Sequence, residues 1–232
     1  MSRKRINIAI DGHSSAGKST MARALAKALN YVYIDTGAMY RAATLFAMRE
    51  RLIDGASMDE DGLNRAMERM YITFKYNPAT DNSEVYLGGV NVEKEIRSME
   101  VARYVSPIAT VACVRTKLVA LQRRMADMGG VVMDGRDIGT VVLPKAELKF
   151  FVTADPEVRA RRRHEELAAM GKSTTYDEVL ENIRQRDRID SERKIAPLRQ
   201  APDAIILDNS HLTMEEQFDF MMGHARRIME PA

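Results

Sequence analysis

The 232-residue chain holds one cysteine and no tryptophan, its aromatics make up 6% of it, and its charges nearly cancel, 35 Lys+Arg against 33 Asp+Glu. Each scarcity excludes something. The lone cysteine, Cys113, permits neither an intramolecular disulfide nor a multi-cysteine metal site, and it suits a reducing compartment. It lies in the apolar helical pattern of TVACVRTKL, where a small thiol is expected to pack rather than react. A formal charge of +2 gives no bulk basic field for nucleic acid or for a membrane surface. No apolar run approaches the ~20 residues of a membrane span. The apolar stretch behind the basic start MSRKRINIAI is only about five residues long, short for a signal peptide. A cytoplasmic protein with neither a nucleic-acid nor a membrane partner is expected.

What is present is ordinary in bulk and specific in detail. Hydrophobic residues make up 45% and charged residues 29%, as in a soluble globular protein, and the length fits one domain or one domain with an insert. Five short apolar runs, at 6–10, 32–34, 131–133, 148–152 and 204–207, read as buried strands. Helical patterns separate them at 18–29, 39–50, 111–128 and 156–170. The last has Asp155 as N-cap and Pro156 at the first helical position. Thr175 with Glu178, and Thr213 with Glu216, form two capping-box signatures. Strands alternating with helices predict an α/β fold: a five-stranded parallel sheet with helices on both faces. The stretch 71–92 breaks the rhythm with two extended patterns around NPATDNS, expected to be an antiparallel hairpin in a small inserted sheet.

The strongest local signal is DGHSSAGKST. Gly12, Gly17, Lys18 and Ser19 satisfy G-x-x-x-x-G-K-[ST], which at average composition arises by chance in about one chain of this length in a hundred. A loop of this kind turns its backbone N–H groups around phosphate oxygens, and the helix behind it adds a positive end. The whole loop, Gly12, His13, Ser14, Ser15, Ala16, Gly17, Lys18, Ser19 and Thr20, is therefore assigned to ATP. Lys18 reaches the β- and γ-phosphates, and Ser19 is a candidate Mg²⁺ ligand. Asp134, closing the third strand, either holds water ligands of Mg²⁺ or orients Arg and Lys side chains. A GTPase Asn-Lys-x-Asp and a Leu-Ser-Gly-Gly signature are both missing, which leaves a small phosphotransferase.

A second signal is IRQRDRIDSER. At roughly 100° per residue, Arg186, Asp190 and Arg193 share the side flanked by Ile183 and Ile189, while Arg184 and Arg188 point away. Charges on an apolar side need partners.

The motifs DGxSxAGKST, DTGAMYRA, EIRSxEVA, DGRDIGTVVxP, RDxxDxxRxxAPL and LDNS, in this order from about residue 6 to 227, resemble the bacterial cytidylate kinases. The resemblance implies transfer of the ATP γ-phosphoryl group to CMP, and to dCMP as a second acceptor, with Mg²⁺ as the metal; a monomer is the default expectation. It also implies a core of 1–70, 105–153 and 195–232, an acceptor-binding insert of about 71–104, and a short helical lid of about 154–194. It implies a base-and-ribose set of Thr36, Ser106, Arg115, Asp137 and Asp190. It also implies an acceptor-phosphate set of Tyr40, Arg41, Arg136 and Arg186, with Arg193 near the sugar or base. Arg159 and Arg163, four residues apart, match lid arginines that approach the transferring phosphate. Lys18, Arg136, Arg159, Arg163 and Arg186 are thus the expected catalytic charges.

The chemistry suits these residue types. Arginine is planar, always charged and bidentate toward phosphate. The nucleophile is a phosphate oxygen whose monoester has a second pKa near ~6, so it is ionised at neutral pH and needs no general base. A carboxylate such as Asp137 can accept from the cytosine amino group, and an arginine such as Arg115 can donate to N3 or O2. Three positions depart from the family pattern: His13 replaces a proline, Ser15 a common glycine, and Thr36 a serine whose extra methyl bears on base selection. Two other readings are a P-loop kinase for UMP or another small acceptor, and an RNA-binding ATPase switch using YITFKYN and the arginine helix. Asp-Gly-x-Pro-Arg of adenylate kinases and Asp-x-Asp of shikimate-type kinases are missing, which counts against two forms of the first.

Overall fold

The computed structural model describes residues 5–54, 57–79 and 82–230. The basic start 1–4 and Thr80–Asp81 of the expected hairpin turn lie outside the described residues. In chain order the strands are β1 (Ile8–Gly12), β2 (Val32–Asp35), β3 (Ile53–Asp54), β4 (Ser57–Met58), β5 (Ile72–Asn77), β6 (Asn82–Leu87), β7 (Val90–Asn91), β8 (Val131–Gly135), β9 (Leu148–Thr153) and β10 (Ile205–Asp208). The helices are α1 (Lys18–Leu29), α2 (Thr36–Arg49), α3 (Glu60–Met67), α4 (Met99–Ile108), α5 (Ala112–Ala126), α6 (Pro156–Ala169), α7 (Tyr176–Glu192) and α8 (Met214–Met229). They form two compact units, one of Met1–Ile34 with Ala126–Ala232, the other Asp35–Met125.

The first unit is built on the five-stranded parallel sheet, in the order β10-β9-β1-β8-β2. Ile8 stands opposite Leu148 on one side and Val132 on the other. All five residues of β1 and of β8 are buried, as their continuous apolar runs predict. The outer strands are half wet, with Val32 at 56% and Ile206 at 54% exposure. Ile8, Ile10, Phe150 and Val132 pack with Leu25 of α1 and with Met221 and Ala225 of α8, each large aliphatic side chain stabilising the fold by about 1.5–3 kcal/mol. A separate small core of Ala160, Leu167, Val179 and Ile183 joins α6 to α7. Both capping boxes form, at Thr175 and Thr213. Asp155 takes the N-cap position of α6, but its side chain makes no capping bond.

In the second unit β5 and β6 pair antiparallel as expected, from Ile72 opposite Leu87 to Asn77 opposite Asn82. A short third strand, β7, adds to β6. The helix predicted at 111–128 is α5 alone. Before it stands α4, which sequence patterning missed, capped by Ser98 accepting from the Val101 N–H. No single described helix is long and apolar enough to cross a membrane.

Candidate active site

The phosphate loop leaves β1 at a place only glycine can occupy. Gly12 has φ 148°, and a Cβ there would run into the Val152 carbonyl of β9. Ser15 also sits in the left-handed region, at φ 59°. Gly17, at φ 79°, turns the chain into α1. Asn209, fully buried, ties the loop from beneath: its amide donates to the Ala16 carbonyl and to Gln217, each at 2.8 Å, and Arg162 donates to Asn209 at 3.0 Å and 2.8 Å. His13 packs edge-on against Phe151, and burial lowers the pKa of its imidazole. Thr20 is exposed at the start of α1.

Lys18 is buried and donates to the His13 carbonyl at 2.5 Å. Burial, and then the neighbouring Arg136 charge, push its pKa down to about 7. Ser19 donates to Asp134 at 2.7 Å, and Tyr33 donates to the other oxygen of the same carboxylate at 2.9 Å. A hydroxyl and a carboxylate held together are hard oxygen donors of the kind Mg²⁺ takes, with water and phosphate filling its remaining positions. The residues therefore fit this ion, although no cluster of three ligating side chains exists among the described residues.

Asp11, which sequence reasoning passed over, lies in β1 just before the loop. Its carboxylate accepts from the Ile138 and Gly139 N–H groups, each at 2.7 Å. Burial raises its pKa to about 6 in spite of those bonds. The folded state therefore binds more protons than the unfolded chain between its ordinary pKa of 3.8 and that value, and this contribution to stability falls as pH rises through the window. The effect of Asp11 is to hold the turn after β8, and with it Arg136 and Asp137, in register with the phosphate loop.

The charges of IRQRDRIDSER find their partners within the first unit. Asp190 is buried and accepts from Arg136 Nε at 2.6 Å. Burial alone would raise its carboxyl, but Arg136, with Arg186 and Arg193, outweighs it and holds the carboxyl below its ordinary range. Arg193 donates to Asp137 at 3.2 Å and to the Ala196 carbonyl at 2.7 Å. It stands past the end of α7, at ψ 138°, so an extended residue rather than a helical one carries this guanidinium. Arg184 is exposed and pairs with exposed Glu157 at 3.0 Å, and Arg188 is exposed as well. Arg159 is buried, pairing with Asp187 at 2.7 Å and donating to the Ser14 carbonyl of the phosphate loop. Arg163 pairs with Glu166 on its own helix.

In the second unit Asp35 caps α2 by accepting from the Ala38 N–H at 2.8 Å. Thr36 is the buried first residue of that helix, one turn from Tyr40 and on the same face. Arg115 of α5 is buried. It donates to the Tyr40 hydroxyl at 3.2 Å and lies 6.0 Å from that ring's centre, within cation–π range. Arg41 follows half-buried on α2, and Ser106 sits half-buried in the last turn of α4.

The cytidylate kinase family model matches residues 8–227. A cytidylate kinase of Parabacteroides distasonis is 59% identical over 214 residues, covering 92% of this chain and 93% of its own. One of Porphyromonas gingivalis is 57% identical over 224 residues, covering 96% and 97%. A crystal structure of an uncharacterized protein from Eubacterium ventriosum shares the fold, with a TM-score of 0.51 at 13% identity over 97% of this chain and 99% of that one.

Proposed function

The chain belongs to the cytidylate kinase family, and on that premise we propose how its residues divide the work of transferring the ATP γ-phosphoryl group to CMP. The observation that carries the reading is the fixed positive charge gathered at the phosphate loop: Lys18 is buried at its end, Arg159 donates to its Ser14 carbonyl at 3.2 Å, and Arg136 is held on Asp190 at 2.6 Å. Cations held in place by protein acids and carbonyls can receive a polyanion without reorganising. Lys18 and the loop N–H groups hold the donor phosphates. Arg136 and Arg186 take the acceptor phosphate together with Tyr40 and Arg41. Arg115, Asp137, Thr36 and Ser106 read the base, and Asp190 and Arg193 the sugar. Ser19 and Asp134, directly or through water, would hold Mg²⁺, which when bound neutralises phosphate charge. The protein groups orient both phosphates in line, exclude water, and supply fixed positive charge; no side chain has to remove a proton. The enzyme is read as a cytoplasmic monomer that also accepts dCMP.

A coupled assay for ADP formation with CMP, dCMP, UMP, AMP and GMP tests the base reading. Uracil exchanges donor for acceptor at its 3 and 4 positions, leaving buried groups unpaired. CMP is therefore expected to exceed UMP by ~10²-fold or more in kcat/KM, and equal values would discard the roles given to Arg115 and Asp137. A second comparison tests the face of α7. Arg186→Ala is expected to lower kcat by ~10²-fold or more. Arg184→Ala removes only an exposed ion pair worth about 0–1 kcal/mol and should leave kcat within about twofold. Equal losses would sink the assignment.

A further inference from the structure

Arg159 lies on a helix rich in exposed charge, yet it is only 2% exposed. Its guanidinium is divided three ways. Nε donates to the Ala154 carbonyl at 2.8 Å, one terminal nitrogen to the Ser14 carbonyl at 3.2 Å, and the other pairs with Asp187 at 2.7 Å. Two of these partners are backbone, one of them in the phosphate loop; only Asp187 brings a charge. Asp187 stands on α7, which the small apolar core joins to α6. The ion pair thus spans the two lid helices, and Arg159 carries the connection on to the loop.

Asp187 does this at a cost. Its second oxygen, Oδ1, is buried with no hydrogen-bond partner, and an unsatisfied buried acceptor destabilises the fold. A buried ion pair is in any case weak support for stability, since an apolar pair often does as well. The acid also acts electrostatically on His13 of the phosphate loop and on Arg136. A half-satisfied carboxylate paired with Arg159 and acting on Arg136 is better explained by placement than by stability.

We propose that Asp187 is a positioning residue for the donor nucleotide: it anchors Arg159 across α6 and α7, and so holds the Ser14 carbonyl and the loop in the shape that ATP phosphates require. The inference rests on the assignment of the loop to ATP.

The test is a comparison of Asp187→Asn, Arg159→Ala and the double variant, reading KM for ATP and for CMP, calorimetric binding of ADP, and thermal unfolding. Asp187→Asn keeps the shape and removes the charge. It is expected to weaken ADP binding and raise KM for ATP by about tenfold, with KM for CMP within about twofold. The double variant should bind ADP no more weakly than Arg159→Ala, because the acid acts through the arginine. Additive losses would overturn the proposal. So would a change in KM for CMP alone, which would join Asp187 to Arg136 instead, or a fall in thermal stability with unchanged ADP binding, which would make it a strut. ADP binding needs no acceptor, so this comparison remains readable even if the wild-type protein were to phosphorylate no CMP, a result that would defeat only the function proposed above.

Discussion

Replacing Lys18 by methionine is expected to lower kcat by ~10²–10³-fold or more, and to leave the nucleotide-free protein at least as stable as the wild type at pH 7. The two halves of this result have one cause. Burial and the Arg136 charge push the Lys18 pKa down to about 7 from an ordinary 10.5. Between those values the unfolded chain binds the proton more tightly than the folded one, so stability gains as pH rises through that window, and the charged lysine costs most below it. Methionine keeps the apolar stem and drops the charge. It gives up the 2.5 Å bond to the His13 carbonyl, a smaller loss than the relief of a buried, repelled cation. Thermal unfolding at pH 7 and pH 9, with and without ADP, separates the contributions. The wild type should gain stability toward pH 9 and on adding ADP; Lys18→Met should gain much less from either. Marked destabilisation of the nucleotide-free variant would mean that Lys18 is a structural strut and that its charge is comfortable where it lies.

Lys18, Ser19 and the capping boxes were legible because their meaning is local: a spacing of a few residues fixes both the backbone and the side chain. The strands of the parallel sheet were legible for a related reason, since a run such as LKFFV has no other way to hide its apolar atoms, whereas the two-residue strands β3, β4 and β7 are too short to show a pattern. Their ends were less so. Strand β1 runs on to Gly12 because that residue pairs with Val152, whereas glycine in a sequence reads as the start of a turn. Helix α2 begins at Thr36 rather than at residue 39, because Asp35 caps it without the acid three residues on that would complete a capping box. Helix α4 escaped notice because its apolar stripe is short and Pro107 interrupts it. The missed functional residues share a different property. Asp11 serves N–H groups at positions 138 and 139, Asn209 serves Ala16, and Asp187 serves Arg159. Each partner is far away in sequence, and no periodicity records a through-space bond. The motif LDNS carries Asn209 plainly, but its task of holding the loop from beneath follows only from the fold.

The second large effect is expected at Arg136. Arg136→Ala should lower kcat/KM for CMP by about 10³-fold, with KM for ATP changed only a few-fold, and it should also destabilise the protein. The cause of the destabilisation is what remains. Asp190, at 8% side-chain exposure, loses a 2.6 Å partner, and stranding a buried charge in this way costs about 3–5 kcal/mol; Arg186 and Arg193 still act on the same carboxylate, so the lower end applies. The pH dependence identifies the mechanism. In the wild type the carboxyl is held below its ordinary range, so its contribution to stability is present above the ordinary pKa of 3.8 and is lost as pH falls through the folded value. Without Arg136 the carboxyl rises toward the value burial favours, and protonation then relieves it. The gap in stability between variant and wild type should therefore be widest near neutrality and narrow toward pH 4. Adding Asp190→Ala to Arg136→Ala removes the stranded charge, and should restore much of the stability but none of the lost activity toward CMP. Recovery of activity along with stability would mean that Arg136 serves only to neutralise Asp190. Because Asp190 is itself placed at the sugar, Asp190→Ala alone is the control: stability without activity in the double variant, beside a clearly smaller loss in that single variant, assigns the Arg136 guanidinium to the acceptor phosphate, and makes the ion pair the means by which that arginine is held in place before the nucleotide arrives.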